Sequence, residues 1–242
     1  VLSYQARYAI ADRGFDGDVA GLTHELVMLA QASPRHRDLT RRSLREALTA
    51  ILASMPRYRT YLPASDREAQ LAPLRRAASA ALARGTGVAP EAVAFIEDVL
   101  LAEHDAAVDT RAAAFVLRFQ QLSSAVMAKG MEDTAFFRYA RLLSQNEVGS
   151  DFSRWDMPLG EMHGWLSKRG EDRPHTLNAT STHDTKRSED ARMRLAVLSE
   201  FASEWADEVR TWRALNSALV QRTDDGWFPP PASEYYLYQT LV

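Results

Sequence analysis

The residues best suited to chemistry are His183 and Asp184, side by side in the run Thr180-Ser181-Thr182-His183-Asp184-Thr185-Lys186-Arg187-Ser188-Glu189-Asp190. A carboxylate can accept hydrogen bonds from two neighbouring hydroxyls, and a sugar ring offers such pairs. In glycoside chemistry these bonds strengthen as the ring flattens toward an oxocarbenium ion, and they supply several kcal/mol. The imidazole can hold a further hydroxyl. The plainer alternative is a loop leading into a helix, with a histidine that satisfies only itself. The dipeptide alone favours this plainer reading. The crowding of acid, base and cation at the end of a possible strand favours the first.

Two further constellations carry polar and aromatic groups at suggestive spacing. In Met127-Ala128-Lys129-Gly130-Met131-Glu132-Asp133-Thr134, Lys129 and Glu132 are three residues apart and share a face of a helical turn. Gly130 allows a close backbone approach or a positive φ. The segment reads either as a helix N-terminus with paired charges or as a loop-helix junction that meets a polar ligand. In Tyr58-Arg59-Thr60-Tyr61-Leu62-Pro63, two tyrosines flank Arg59 and could stack on a sugar, or could cover the end of a helix. Asn146-Glu147-Val148-Gly149 is a polar turn of the same ambiguity.

Composition narrows the classes. The 242 residues suffice for one large domain or two small ones, and 46% are apolar, so a sizeable core can be buried. A formal charge of -3 implies no field that would draw nucleic acid or a membrane surface. The absence of cysteine excludes disulfides and thiolate metal sites and fits a reducing, cytoplasmic compartment. No apolar run approaches the roughly 20 residues of a membrane helix. His36, His104, His163 and His175 lack metal-ligand spacing. No phosphate-cradling glycine loop, dinucleotide fingerprint or nucleophile elbow occurs, so no cofactor and no metal are expected.

Periodicity predicts a mainly α chain. Val19, Leu22, Leu26, Leu29 and Ala30 recur at helical spacing. Leu44, Leu48, Ile51, Leu52 and Met55 form a second apolar face that Pro56 ends. Ser65 with Glu68 has capping-box spacing, Gly85 stops that helix, and Pro90 suits a first turn. Phe95 through Leu122 reads as a long helical stretch broken near Asp109-Thr110. Residues 149–174 read as loop. Leu122 to Met127 and Thr176 to Thr182 are the candidate strands. Ser188 is expected to cap a helix buried through Leu195, Leu198, Phe201 and Trp205, followed by helices from Asp207 to Gln221 and after Ser233. Both ends look cut, which suggests a piece of a longer protein.

At its polar motifs the chain resembles the malto-oligosyltrehalose synthases of the α-amylase-type glycoside hydrolases. Ser181 to Asp190 looks like the fourth conserved region of that group. Val126 to Thr134, Leu142 to Gly149, Pro56 to Tyr61 and Leu237 to Leu241 match the synthases in order. Position 57, usually apolar in the family, is arginine here. The resemblance implies a helical insertion subdomain over residues 1–122 and the incomplete later part of a (β/α)8 barrel over residues 123–242, with few short strands. It implies an enzyme that converts the reducing-end α-1,4 linkage of a maltodextrin into an α,α-1,1 linkage through a glycosyl-enzyme intermediate.

By residue-to-residue match Asp184 would be the transition-state stabiliser and His183 a sugar-binding residue. Lys129, Glu132, Arg187 and Arg59 are the other substrate-binding candidates. The implied partners are a maltooligosaccharide and an N-terminal part of the same enzyme, since neither the family's nucleophile motif, Gly-x-Arg-x-Asp, nor its acid is found here. Without them this chain should be inactive by itself. The competing class is a non-enzymatic helical interaction module.

Overall fold

The computed structural model describes residues 1–63, 66–84, 87–102, 110–151, 154 and 156–242. The expected cap at Ser65, the stop at Gly85 and the break at Asp109 lie outside these residues. The described chain is mainly α, with one two-stranded sheet among the described residues. It divides into two compact units, Val1–Ala135 and Phe136–Val242.

The first unit is built on a continuous apolar core. Its helices are α1 (Leu2–Ala9), α2 (Asp16–Ala32), α3 (Arg41–Ser54), α4 (Arg67–Arg84), α5 (Pro90–Leu101) and α6 (Thr110–Met127). The spacing seen in the sequence explains the packing: Leu22 and Leu26 on α2, Leu44, Leu48 and Ile51 on α3, and Phe115 and Phe119 on α6 are wholly buried. Thr40 caps α3 by accepting from the Ser43 N–H at 3.0 Å. Pro90 occupies the first turn of α5. Leu122 to Met127, read as a possible strand, continues α6, because Phe115, Phe119, Leu122 and Val126 keep one helical stripe buried. The helix passes through residue 122 and the unit closes after Ala135.

Two wide helical turns give this unit a local character that periodicity does not announce. Residues Ile10–Gly14 and Ala128–Ala135 are π-helical, and in the latter the Thr134 hydroxyl donates to the Lys129 carbonyl at 2.9 Å. Gly130 is buried where this turn meets α1. A Cβ there would lie 2.6 Å from the Cα of Arg7. Backbone cannot yield as a flexible side chain would, so Gly130→Ala is expected to destabilise the unit by about 2 kcal/mol. Chemical denaturation of the two proteins measures the difference, and an unchanged midpoint would contradict the contact.

The second unit has far less apolar core. Its elements are a 3-10 turn (Leu143–Gln145), α7 (Leu159–Asp172), α8 (Glu189–Val197), α9 (Ala202–Leu215), a 3-10 turn (Ser217–Leu219), the hairpin strands β1 (Gln221–Thr223) and β2 (Gly226–Phe228), and α10 (Pro231–Leu241). Buried apolar residues here are Phe136, Leu143, Leu195 and Tyr238, beside the buried polar Asn146, Glu147, Glu234 and Gln239. Polar side chains therefore tie much of this unit together. Gln239 accepts from the Leu143 N–H at 2.8 Å and donates to the Ala140 carbonyl at 2.6 Å. Asn146 donates to the carbonyls of Phe136 and Tyr139, both at 2.6 Å. Trp212 lies edge-on to Trp205 at 5.5 Å and to Tyr238 at 5.4 Å, which joins α9 to α10.

Several sequence expectations fail in this unit. Residues 159–172 form a helix despite Gly160, Gly164 and Gly170. Thr176 to Thr182 is irregular, and the strands lie instead on either side of the Asp224-Asp225-Gly226 turn, where Gly226 takes φ 120°. The helix after Ser188 ends at Val197, leaving Phe201 exposed, and α9 ends at Leu215 rather than continuing to Gln221. The last helix starts at Pro231, so Ser233 lies inside it and does not cap it. No helix among the described residues is long and apolar enough to cross a membrane.

Candidate functional site

The His183-Asp184 turn is fixed by backbone and neighbouring hydroxyls, while its own side chains face solvent. The Thr185 hydroxyl donates to the Thr182 carbonyl at 2.9 Å, and the Asp184 N–H donates to the Thr182 hydroxyl at 3.3 Å. These are Ser/Thr turn bonds, favoured where a short hydroxyl can reach its own backbone. Ser188 occupies the N-cap position of α8 without a side-chain capping bond. Ser181 supplies it instead, accepting from the Glu189 N–H at 3.1 Å. Arg192, one helical turn further on, reaches back to the Thr180 carbonyl.

A second, non-local set of bonds fixes the turn from outside. The Glu147 carboxylate accepts from the Lys186 N–H at 2.9 and 3.0 Å and from the Arg187 N–H at 3.3 Å. One of its oxygens also accepts from the Val148 N–H at 2.9 Å. The sequence shows Asn146-Glu147-Val148-Gly149 only as a polar turn; the spacing of 39 residues hides the contact. The Arg187 guanidinium donates to the Tyr236 hydroxyl at 3.0 Å and lies 5.4 Å from that ring's centre. Arg187 thus turns toward α10 rather than pairing with Asp184.

The His183 side chain is 93% exposed and that of Asp184 is 64% exposed, with Nε2 and Oδ2 4.0 Å apart. An open imidazole and an open carboxylate on a braced turn can receive hydroxyls without first breaking other bonds. No cluster of three or more metal-ligating side chains occurs among the described residues.

The remaining candidates lie in the first unit. Tyr58 donates its hydroxyl to the Glu132 carboxylate, and Glu132 is 5% exposed. Lys129 pairs with Asp133 at 2.6 Å across one turn. The Arg59 guanidinium lies 4.7 Å from the centre of the exposed Tyr61 ring. What holds this loop is a residue that sequence reading passed over. Gln120, wholly buried on α6, accepts from the Thr60 hydroxyl at 3.1 Å and the Leu62 N–H at 2.6 Å, and donates to the Leu62 carbonyl at 2.9 Å. Ser123 adds a bond to the Tyr58 carbonyl at 2.9 Å. Two polar residues on an otherwise apolar stripe are the signal that could have revealed the tether. Tyr58, Arg59, Lys129 and Glu132 thus lie in the first unit, where Tyr58 meets Glu132, and His183, Asp184 and Arg187 lie in the second.

No family model matches the chain. A Mycobacterium tuberculosis protein that carries the name maltooligosyl trehalose synthase is 46% identical over 90 residues, 37% of this chain and 12% of that protein. The solved maltooligosyltrehalose synthase of Arthrobacter ramosus is similar over 99% of this chain and 27% of its own, with a TM-score of 0.74 at 29% identity. A Sulfolobus tokodaii structure titled as a hypothetical maltooligosyl trehalose synthase gives a TM-score of 0.67 at 29% identity, again over 99% of this chain and 27% of its own. The chain thus spans about a quarter of the length of these solved structures. Over nearly all of its own length, this mainly α chain resembles a segment of the maltooligosyltrehalose synthases.

Proposed function

We propose that this chain works as part of a larger maltooligosyltrehalose synthase, converting the reducing-end α-1,4 linkage of a maltodextrin into an α,α-1,1 linkage. The single observation that carries the reading is the open His183-Asp184 pair on a turn braced from two sides, in a chain similar to those enzymes. In this reading residues 1–122 are a helical insertion and residues 123–242 are barrel-derived. Asp184 accepts two adjacent hydroxyls of the transferred glucose, most strongly as its ring flattens. His183 holds a further hydroxyl. Arg59, Lys129 and Arg187 bind sugar hydroxyls, and Glu132 does so through its carboxylate or through the Tyr58 hydroxyl it holds.

The nucleophile and the general acid come from the rest of the enzyme. The glucose released from the chain end stays bound, turns over, and attacks the glycosyl-enzyme through its anomeric hydroxyl. Water must be excluded meanwhile, or hydrolysis competes. The need for a partner segment has independent support in the second unit. Helices α7 and α9 bury no residue in this chain, and Leu159, Trp165 and Leu166 on α7 stand open at 71%, 52% and 47%. Apolar faces of this kind are normally covered in a finished fold.

Replacement of His183 tests the reading. In a full-length synthase carrying this segment, His183→Ala is expected to lower kcat/KM about tenfold, the value of one good hydrogen bond to sugar. The exposure of the side chain predicts an unchanged melting temperature. Steady-state rates with maltopentaose decide it, and a rate equal to the unaltered enzyme's would remove His183 from the substrate site.

A further inference from the structure

We propose that Glu147 is a positioning residue for the His183-Asp184 pair, acting through the backbone of Lys186 and Arg187. This rests on the reading of Asp184 above and adds a residue to it. The bonds among Thr182, Asp184 and Thr185 span at most three residues. Local bonds of that kind set the shape of a turn but not where it points. Direction requires an anchor on another part of the fold, and Glu147 supplies one across 39 and 40 residues of sequence.

The anchor is itself held. Asn146 is fixed to the Phe136 and Tyr139 carbonyls, and Gln239 of α10 fixes the preceding 3-10 turn at Leu143. A path of hydrogen bonds thus runs from α10 through residues 143–147 to the backbone just after Asp184. Glu147 is 8% exposed, and a carboxylate so placed is costly unless its oxygens are occupied. Both are occupied, and among the described residues only by N–H donors. A carboxylate is the one side chain of this length that accepts at both ends. Glutamine has the same shape but must present an NH2 group to one set of backbone N–H groups, whichever way the amide is turned. Misplacement of a reacting group by about 1 Å can cost as much as 100-fold in rate, so a modest swing of this turn would be felt in the chemical step.

The test uses E147Q in two settings. In the 242-residue chain, amide exchange by NMR should show Lys186 and Arg187 protected, and E147Q should accelerate both at least tenfold while leaving the core amides of α3 unchanged. In a full-length synthase carrying the segment, E147Q should lower kcat about tenfold with KM within about twofold and no loss of folded protein by circular dichroism. Exchange of these two amides at the rate of a free peptide in the unaltered chain overturns the anchor, and that measurement decides should E147Q fail to fold. Full kcat in folded E147Q overturns the positioning role. Asp184→Asn in the same synthase separates the layers. If it is slow while E147Q is normal, only the inference about Glu147 falls; if both are normal, the assignment of Asp184 falls with it.

Discussion

Asp184→Asn, in a full-length synthase carrying this segment, should lower kcat/KM more than about 100-fold, a loss of at least ~2.7 kcal/mol in transition-state stabilisation. The substitution keeps the shape of the side chain and removes its charge. One oxygen that would accept a sugar hydroxyl becomes an NH2 donor, so the paired acceptance that strengthens as the ring flattens is halved and no longer charge-assisted. The fold should not notice. The Asp184 carboxylate is 64% exposed, and its neighbour at 4.0 Å is the His183 imidazole, itself almost fully exposed. The bond that shapes the turn uses the Asp184 backbone N–H, which asparagine retains. The expected signature is therefore a large loss in rate with an unchanged melting temperature. An unchanged rate would refute a transition-state role outright.

That separation of shape from chemistry also explains what could be read from residues alone. Helices α2 to α6 of the first unit announce themselves because each buries a stripe of Leu, Ile, Val or Phe against the others, as Leu44, Leu48 and Ile51 do on α3, whereas α1 buries only Ala6 and carries no such signal. Periodicity is a record of apolar burial, and this unit is held by apolar burial. The second unit is not. Helix α7 carries three glycines and buries nothing, so neither propensity nor stripe marks it. Its irregular stretches are fixed by Asn146, Glu147 and Gln239 through bonds that reach 7 to 99 residues along the chain. A polar side chain in a sequence does not say which distant carbonyl or N–H it will meet. The π turn at Ala128–Ala135 was hidden for a related reason, since no repeat marks it and the close approach of Gly130 to Arg7 is a contact between distant parts of the chain.

The candidate site follows the same division. His183 and Asp184 stood out by type and adjacency, and the structure adds that they are open and braced. The expected capping by Ser188 was right in position and wrong in chemistry, because Ser181 already meets the Glu189 N–H. Glu132, chosen for its spacing from Lys129, is buried and accepts from the Tyr58 hydroxyl, and Lys129 pairs with Asp133. Spacing along a helix fixes which side chains share a face, but competition among nearby partners decides which of them meet.

The purified 242-residue chain is expected to give no trehalose-ended product from maltopentaose and no reducing sugar by hydrolysis. A retaining transfer needs two carboxyl groups about 5–5.5 Å apart across the scissile bond, one to attack and one to protonate the leaving oxygen. Asp184 has no such companion on its turn. Glu147, the buried carboxylate held against the same backbone, has both oxygens engaged by N–H groups and none free to attack an anomeric carbon. Without a nucleophile no glycosyl-enzyme forms, and stabilisation of an oxocarbenium ion by Asp184 cannot replace the missing bond-making step. A null result could also arise from an unfolded protein, so the measurement pairs product analysis with a thermal melt. The continuous core from Ala11 to Val126 should unfold cooperatively in the same sample that shows no turnover. Turnover by a folded chain would mean that a carboxylate pair within these 242 residues performs the reaction, and would overturn the division of labour between Asp184 and the rest of the synthase.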